Sequence, residues 1–308
     1  MNKKIKNNLF KLIIVVFLII YLLYSSDTIN ELKASVKEVS KNVNIEEINQ
    51  KNFSDTLDVY FIDVGQADSI LIKQDDKYML IDAGNNEDGK LLTLYFKELG
   101  ITSFEHVVAT HAHEDHIGGM DDIINNFEVK NFYMPDVITT TKTFEDMLDA
   151  LSNKNLMYTV LKQDEEFKLS SASIKTIYIG GNEESDINDT SIVLRLEYED
   201  VSFLFTGDAS TKVENKILNK DIKSDVLKLG HHGSSYSSST SFIDKVNPSY
   251  AVIQVGKNNS YNHPHLEILN KLNKNNIKIY RTDESGTIIF TTDGKNLNVK
   301  NIKTNTNG

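Results

Sequence analysis

The chain of 308 residues contains no cysteine, which excludes disulfides, thiolate metal ligands and a cysteine nucleophile together. The absence leaves the compartment open, since it fits both a cytosolic protein and an extracellular one whose host does not rely on disulfides. Positive charge is also scarce: 33 Lys and Arg stand against 44 Asp and Glu, a net charge of -11. That argues against a protein holding nucleic acid mainly by a basic surface, because such binding needs Lys and Arg to neutralise phosphates. It does not exclude an enzyme that meets phosphate through bound metal. No short-period repeat is visible, which argues against a repeat architecture. What is present suffices for one large domain or two modest ones, with 40% apolar residues to build a core.

The first residues, Met-Asn-Lys-Lys-Ile-Lys, lead into an apolar stretch from Leu9 to Tyr24 interrupted only by Lys11. This is just short of the roughly 17 to 20 apolar residues that span a bilayer, and Lys11 can snorkel to the interface. A small-x-small cleavage pattern is missing after Tyr24. Residues 1–26 are therefore expected to form an uncleaved signal-anchor or transmembrane segment. The lysines before it place the rest of the chain outside the cell membrane as a single-pass protein, or secreted if the segment is cleaved. Residues 27–54 read as a polar stalk or linker, with some helical periodicity in Ile29, Leu32, Val36 and Val39.

Residues 55–308 form the remaining domain. Short β-rich runs at Leu57 to Val64, Ser69 to Ile72 and Tyr78 to Ile81 are punctuated by Gly65-Gln66 and Asp75-Asp76. Helical spacing from Leu91 to Leu99 ends at Gly100, a fitting C-cap. Further helices are expected near 121–126, 143–154, 211–220, 239–246 and 266–272. Strands are expected near 132 and at 173–179, 191–198, 201–206, 226–229, 250–255, 277–280, 287–291 and 297–299. Strands and helices mixed in two similar halves suggest an α/β domain of two face-to-face sheets with helices outside.

The densest chemistry lies in Thr-His-Ala-His-Glu-Asp-His-Ile-Gly-Gly, residues 110–119. His111, His113, Asp115 and His116 are awkward as packing and apt as ligands for zinc, manganese or iron. They follow the apolar run Val107-Val108-Ala109, on a loop that can aim several side chains at one point. Four more strand-like runs end in similar residues: Asp82 before Ala83-Gly84, Asp208 after Thr206-Gly207, His231-His232 after Gly230, and His263 and His265 flanking Pro264. Strand ends on one rim of a layered domain can converge on a site. Taken singly, Asp82 and Asp208 could equally be turn formers, and the His263–His265 stretch a solvated loop.

Together these pieces resemble the metallo-β-lactamase-fold hydrolases, and within them the ComEC-type branch, the C-terminal domain of the competence DNA-uptake channel and its free-standing relatives. The resemblance rests on Phe-Ile-Asp-Val-Gly-Gln-Ala-Asp-Ser (61–69), Leu-Ile-Asp-Ala-Gly (80–84), the 110–119 loop, Asn-Asp-Thr-Ser-Ile-Val-Leu (188–194), Leu-Phe-Thr-Gly-Asp (204–208), Leu-Lys-Leu-Gly-His-His-Gly-Ser (227–234) and Asn-His-Pro (262–264). It implies a four-layer αβ/βα sandwich holding two divalent metal ions, zinc or manganese. His111 and His113 would hold the first ion. Asp115, His116 and a histidine from His231-His232 would hold the second, with His231 preferred because it directly follows the strand. Asp208 would bridge the ions, while Asp82 would support the loop by hydrogen bonding.

Two departures from the family stand out. A third histidine common on the first metal is replaced by Asn188-Asp189-Thr190, so Asn188 or Asp189 would supply an oxygen and favour manganese. Ala67 stands where the branch usually has glycine, and its methyl is expected to perturb Asp68, itself expected near the metals.

The implied function is hydrolysis of a phosphodiester, with DNA among the candidates, and Asp115, His263 and Asp68 are the candidate catalytic residues. His263 or His265 would protonate the leaving alkoxide. Ser234 and the serines up to Ser239 would donate to phosphate oxygens or simply form a polar loop. The competing readings are an esterase for a small extracellular phosphodiester of the phosphocholine or teichoic-acid type, and a non-catalytic binding module with a decayed site. The sequence names no protein partner beyond the membrane contact of its N-terminal helix.

Overall fold

The computed structural model describes residues 56–302. The expected anchor and stalk lie outside the described residues, and among the described residues no helix is long and apolar enough to cross a membrane.

Six strands open the domain: β1 (Leu57–Phe61), β2 (Ile70–Gln74), β3 (Lys77–Ile81), β4 (Ser103–Val108), β5 (Glu128–Tyr133) and β6 (Tyr158–Thr159). A second set follows: β7 (Glu166–Leu169), β8 (Ala172–Tyr178), β9 (Val193–Tyr198), β10 (Val201–Phe205), β11 (Val226–Lys228), β12 (Tyr250–Ile253) and β13 (Lys278–Arg281). The chain then closes with β14 (Thr287–Thr292) and β15 (Leu297–Ile302). The first sheet has the order β15-β14-β1-β2-β3-β4-β5-β6 and the second β13-β12-β11-β10-β9-β8-β7. The two halves of the sequence thus do not map one to each sheet. The last hairpin crosses back, pairing β14 antiparallel to β1 with Val59 opposite Phe290.

Hairpin turns form where the sequence permits left-handed backbone. Asp75 between β2 and β3 has φ 54° and Glu199 between β9 and β10 has φ 52°, the hand that matches the twist of paired strands. The sheets pack through one apolar layer. Phe61, Ile72, Ile81 and Phe290 of the first meet Leu196, Phe203, Phe205 and Val252 of the second. The Phe61 ring lies 6.2 Å from Phe205 and 5.9 Å from Phe290. Each such side chain, fully removed from water, stabilises the fold by roughly 1.5–3 kcal/mol.

Helices cover the outer faces. α1 (Asp88–Glu98), α2 (Glu114–Ile117), α3 (Met120–Asn126) and α4 (Lys142–Asn153) belong to the first sheet, where Phe96 of α1 packs edge-on against Phe104 of β4. α5 (Thr211–Ile217), α6 (Thr240–Val246) and α7 (Leu266–Lys274) cover the second, burying Val213, Phe242 and Ile268 with Leu204, Leu227 and Ala251. The short α8 (Thr282–Ser285) precedes β14. Thr141, Ser210 and Ser239 cap α4, α5 and α6 through their side-chain oxygens. The four-layer α/β arrangement expected from the sequence is the one observed.

Strand direction positions the site. β3, β4 and β5 run parallel, and so do β10, β11 and β12. Parallel strands end on a common rim, where crevices form. The loops carrying Asp82, residues 110–119, Asp208, His231-His232 and His263 all leave from such ends. Gly118 lets the 110–119 loop close: a Cβ there would fall 2.2 Å from the backbone of Asn85 and Asn86.

Candidate metal centre

Asp82 is the anchor of the site. It leaves β3 in left-handed backbone, φ 59°, a conformation a non-glycine residue adopts at some cost and keeps when its surroundings fix it. Its carboxylate, 1% exposed, accepts from the Thr110 amide at 2.8 Å, the Thr110 hydroxyl at 2.7 Å and His116 Nδ1 at 2.7 Å. This is the loop-supporting role expected for it.

These bonds set the imidazoles. With Nδ1–H of His116 given to Asp82, its Nε2 faces inward, buried and without a hydrogen-bond partner, 3.4 Å from Asp208 Oδ2. Thr110 donates to Asp82 and so accepts from His111 Nδ1 at 3.1 Å, leaving the lone pair of His111 Nε2 pointed at His113 Nδ1, 3.2 Å away. His232 Nδ1 donates to the Gln254 carbonyl at 2.9 Å, so its Nε2 meets Asp115 Oδ2 at 3.1 Å. Three histidines are therefore each held at Nδ1 with Nε2 turned into the cluster, the orientation a metal ligand requires, and of these Nε2 atoms that of His116 has no hydrogen-bond partner.

Asp115, His116, Asp208 and His232 bring one ligand atom apiece within 4.8 Å of one another. The preference for His231 is corrected by this geometry. His231 and His232 both take left-handed backbone, φ 52°, and the turn sends the second ring inward. His231 is left half-buried at the rim, its amide on Asp208 Oδ1 at 3.1 Å and its Nε2 3.9 Å from Asp208 Oδ2.

Asp68 lies beside the metal-type cluster, as expected, and groups with Asp82 and His116. It sits behind the rings, 3.4 Å from His232 Nδ1 and 3.9 Å from His116 Nδ1, and forms a 2.6 Å ion pair with Lys228. Both side chains are buried, and Lys228 also donates to the Leu229 carbonyl at 2.8 Å. The methyl of Ala67 is accommodated: the residue is buried, and the left-handed turn falls on Gly65, φ 70°.

In the turn that replaces the third histidine, Asp189 is engaged by Ser210 and, at 3.4 Å, by Lys212. Asn188 Oδ1 is instead buried without a partner. The turn docks beside the histidine loop, with Ile192 N donating to Thr110 O. Asn188 is the better placed of the two to offer an oxygen. Ser234 is buried and its hydroxyl accepts from the Tyr236 amide at 3.3 Å, so it shapes its loop. His265 caps the same loop by accepting from Ser235 N at 2.9 Å. His263 stands over the rim, its ring 5.6 Å from His231 and stacked 6.5 Å from His232.

The electrostatics ask for a cation. Burial penalises charge on Asp208 and Asp115, yet the His116 and His232 imidazoliums hold both carboxyls below their usual range. Burial likewise opposes charge on His232, and Asp208, Asp115 and Asp68 override it, pushing the imidazole up to about 10. His116 is raised in the same way by Asp208, Asp82 and Asp115. Burial, then the His116 charge, drives His111 well below its ordinary value. Burial and the neighbouring His232, His231 and His265 lower His263 to about 4. The surrounding carboxylates thus favour positive charge at His116 and His232. Divalent ions would supply that charge in place of the protons and take the Nε2 atoms as ligands, so the residues fit such ions.

Two contributors had escaped notice in the sequence. Lys228 interrupts an otherwise apolar buried strand, and Gln254, whose side chain donates to Ile62 O and Ser69 O at 3.0 and 2.9 Å, sits between Ile253 and Val255. A polar residue inside a buried run is the signal both gave.

Comparison with known proteins agrees with this geometry. Residues 62–257 match the model of the metallo-beta-lactamase superfamily. The chain is 30% identical over 253 residues to ComE operon protein 3 of Bacillus subtilis, covering 76% of this chain and 33% of that protein. It is 28% identical over 234 residues to competence protein ComA of Neisseria gonorrhoeae, covering 74% and 31%, and 27% identical over 241 residues to recombination protein 2 of Haemophilus influenzae, covering 76% and 28%. These are ComEC-type competence proteins, of whose length the chain spans about a third. The fold is similar to that of YhfI from Bacillus subtilis, a metallo-beta-lactamase fold protein, with a TM-score of 0.51 at 12% identity over 74% of this chain and 96% of that one. With a matched family model across more than half its length, and a histidine–aspartate cluster at the shared rim of its two sheets, the chain belongs to the metallo-β-lactamase superfamily.

Proposed function

We propose that the domain is a metal-dependent phosphodiesterase that acts as a nuclease with two divalent ions. The observation that carries this reading is the convergence of Asp115, His116, Asp208 and His232 on one point, beside the facing nitrogens of His111 and His113. His111, His113 and Asn188 would hold one ion, Asp115, His116 and His232 the other, with Asp208 between them. Such ions, when bound, activate water near neutral pH and stabilise charge on a phosphoryl group. Asp82, Gln254 and Asp68 orient the histidines from behind. His263, neutral at physiological pH, is placed to position the substrate at the rim by hydrogen bonding. The intact constellation opposes a decayed site, because burying this many unpaired polar groups without use is costly. The competence relatives support a nucleic-acid substrate, and the acidic composition supports the alternative, a small phosphodiester. The apolar run Leu9 to Tyr24 supports a cell-membrane anchor that leaves the domain outside.

The test is metal analysis of the full chain joined to an assay with manganese or zinc on single-stranded DNA and on bis-p-nitrophenyl phosphate. The expected result is two ions per chain and chelator-sensitive cleavage of DNA. Activity indifferent to chelation, or to His116→Ala, overturns the reading. Cleavage of the small ester alone selects the alternative.

A further inference from the structure

Most large apolar side chains of the domain are buried; among the exposed ones, Ile138, Met157, Tyr158 and Val160 lie between α3 and β7, away from the histidine loops of the second sheet, whereas Tyr236, Tyr261 and Leu266 are 74%, 63% and 71% exposed beside those loops. Tyr236 and Tyr261 belong to loops that carry the rim histidines, and Leu266 opens α7 directly after His265. Tyr236 follows His231-His232 by four residues, Tyr261 precedes His263 by two, and Leu266 follows His265. The loops are tied together, since Ser235 N donates to His265 Nδ1 and the His265 and His263 rings lie 4.9 Å apart. The Tyr261 ring stacks on His263 at 5.6 Å and 22°, and His263 stacks on His232 at 6.5 Å and 25°. The result is a column of three nearly parallel rings. Its inner end is a residue of the metal-type cluster and its outer end an open aromatic face. Asn259 fixes the outer part by accepting from His263 N at 3.0 Å and Tyr261 N at 3.2 Å and by donating to His263 O.

Resting on the phosphodiesterase reading, we propose that the outer face of Tyr261 is a base-stacking subsite for an unpaired nucleotide of a single-stranded substrate. A flat ring backed by a second ring suits a planar base, which extends the column. Stacking is tolerant of sequence because every base has a π-face. It also adds to binding in a chain whose net charge of -11 gives little general attraction for phosphates. A quaternary ammonium group would ask for rings enclosing a point, whereas the Tyr261–His263 pair presents a single plane. A duplex, whose bases are already stacked on one another, offers no free face to this subsite.

The test titrates the metal-depleted full chain, in which hydrolysis cannot interfere, with fluorescein-labelled octathymidylate and with the same strand carrying abasic residues throughout. Fluorescence anisotropy reads the two affinities. The base-bearing strand is expected to bind about tenfold tighter than the abasic one, and Tyr261→Ala to abolish most of that ratio. Tyr261→Phe, which keeps the ring, is expected to retain it, and this control separates loss of stacking from loss of folding. Equal affinity of wild type for both strands, absence of binding to either, or an undiminished ratio in Tyr261→Ala with Tyr236→Ala overturns the proposal. So does displacement of the strand by phosphocholine but not by thymidine. A preserved base preference in a chain that hydrolyses no diester with metal restored would sustain the subsite and sink the catalytic reading alone.

Discussion

At the scale of single residues, the structure separates two adjacent histidines that sequence could not. His232 Nε2 lies among the carboxylates while His231 stays at the rim. His232→Ala is therefore expected to lose about one equivalent of bound metal, whereas His231→Ala keeps the full complement; elemental analysis of the two purified variants decides this. The opposite pattern would return the ligand role to His231. Lys228 offers a second prediction. Its removal in Lys228→Met takes the 2.6 Å partner from the buried Asp68 and leaves it only the more distant His232 and His116, which costs about 3 kcal/mol in urea denaturation. Replacing both, as Lys228→Met with Asp68→Leu, should recover much of that loss, because an apolar pair carries no desolvation penalty. The dense loop at 110–119 was legible because four ligand types crowd into it. The Asn188 substitution was legible too. The choice between His231 and His232 was not, since it depends on two successive left-handed residues; the nearness of Asp68 to the cluster was legible, but its buried ion pair with Lys228 was not, because the two lie 160 positions apart.

Elements were read from their periodicity and caps, and the long ones came out within a few residues. The helix expected at 143–154 is Lys142–Asn153, and that expected at 239–246 is Thr240–Val246. The elements that escaped, β6, β7, α2 and α8, have four residues or fewer, too few to show a period. The return of β14 to β1 escaped for a different reason: it joins residues more than 220 positions apart, which no local pattern encodes. A prediction belongs at this scale, where α5 is fastened to the segment before Asn188. Glu184 accepts from Lys212 at 2.7 Å, from Lys216, and from the Tyr178 hydroxyl at 2.8 Å. Lys212 first, then Lys216, lowers its carboxyl from the ordinary 4.5 to about 2. A depressed folded-state value means stability that is fully present above pH 4.5 and lost as pH falls toward 2. Since both lysines are substantially exposed, solvent screening reduces the effect to about 1 kcal/mol. Glu184→Gln should therefore be less stable than wild type by that amount at pH 7 and indistinguishable from it near pH 2, as chemical denaturation at the two pH values would show.

For the whole molecule the governing quantity is its charge. A basic nucleic-acid enzyme loses affinity as salt rises, because counterions released from the strand must be recaptured. This chain carries a net charge of -11, which two divalent ions, if held at the rim as proposed, would offset only in part. At about 0.01 M ionic strength the Debye length is about 30 Å, so an approaching polyanion meets the repulsion of the entire domain; at about 0.1 M it falls to about 10 Å and only the rim is sensed. Encounter with an oligonucleotide should thus become faster as salt rises through this range. The expected outcome is that kcat/KM on a short single strand increases from about 0.01 to 0.1 M salt, while the value for a small singly charged diester changes much less. Initial rates below KM, measured for both substrates in parallel, give the comparison. A steep fall for the oligonucleotide would mean that phosphate contacts, and not the metals and the aromatic rings, hold the strand, with the exposed Lys257 on the His263 loop the first lysine to test.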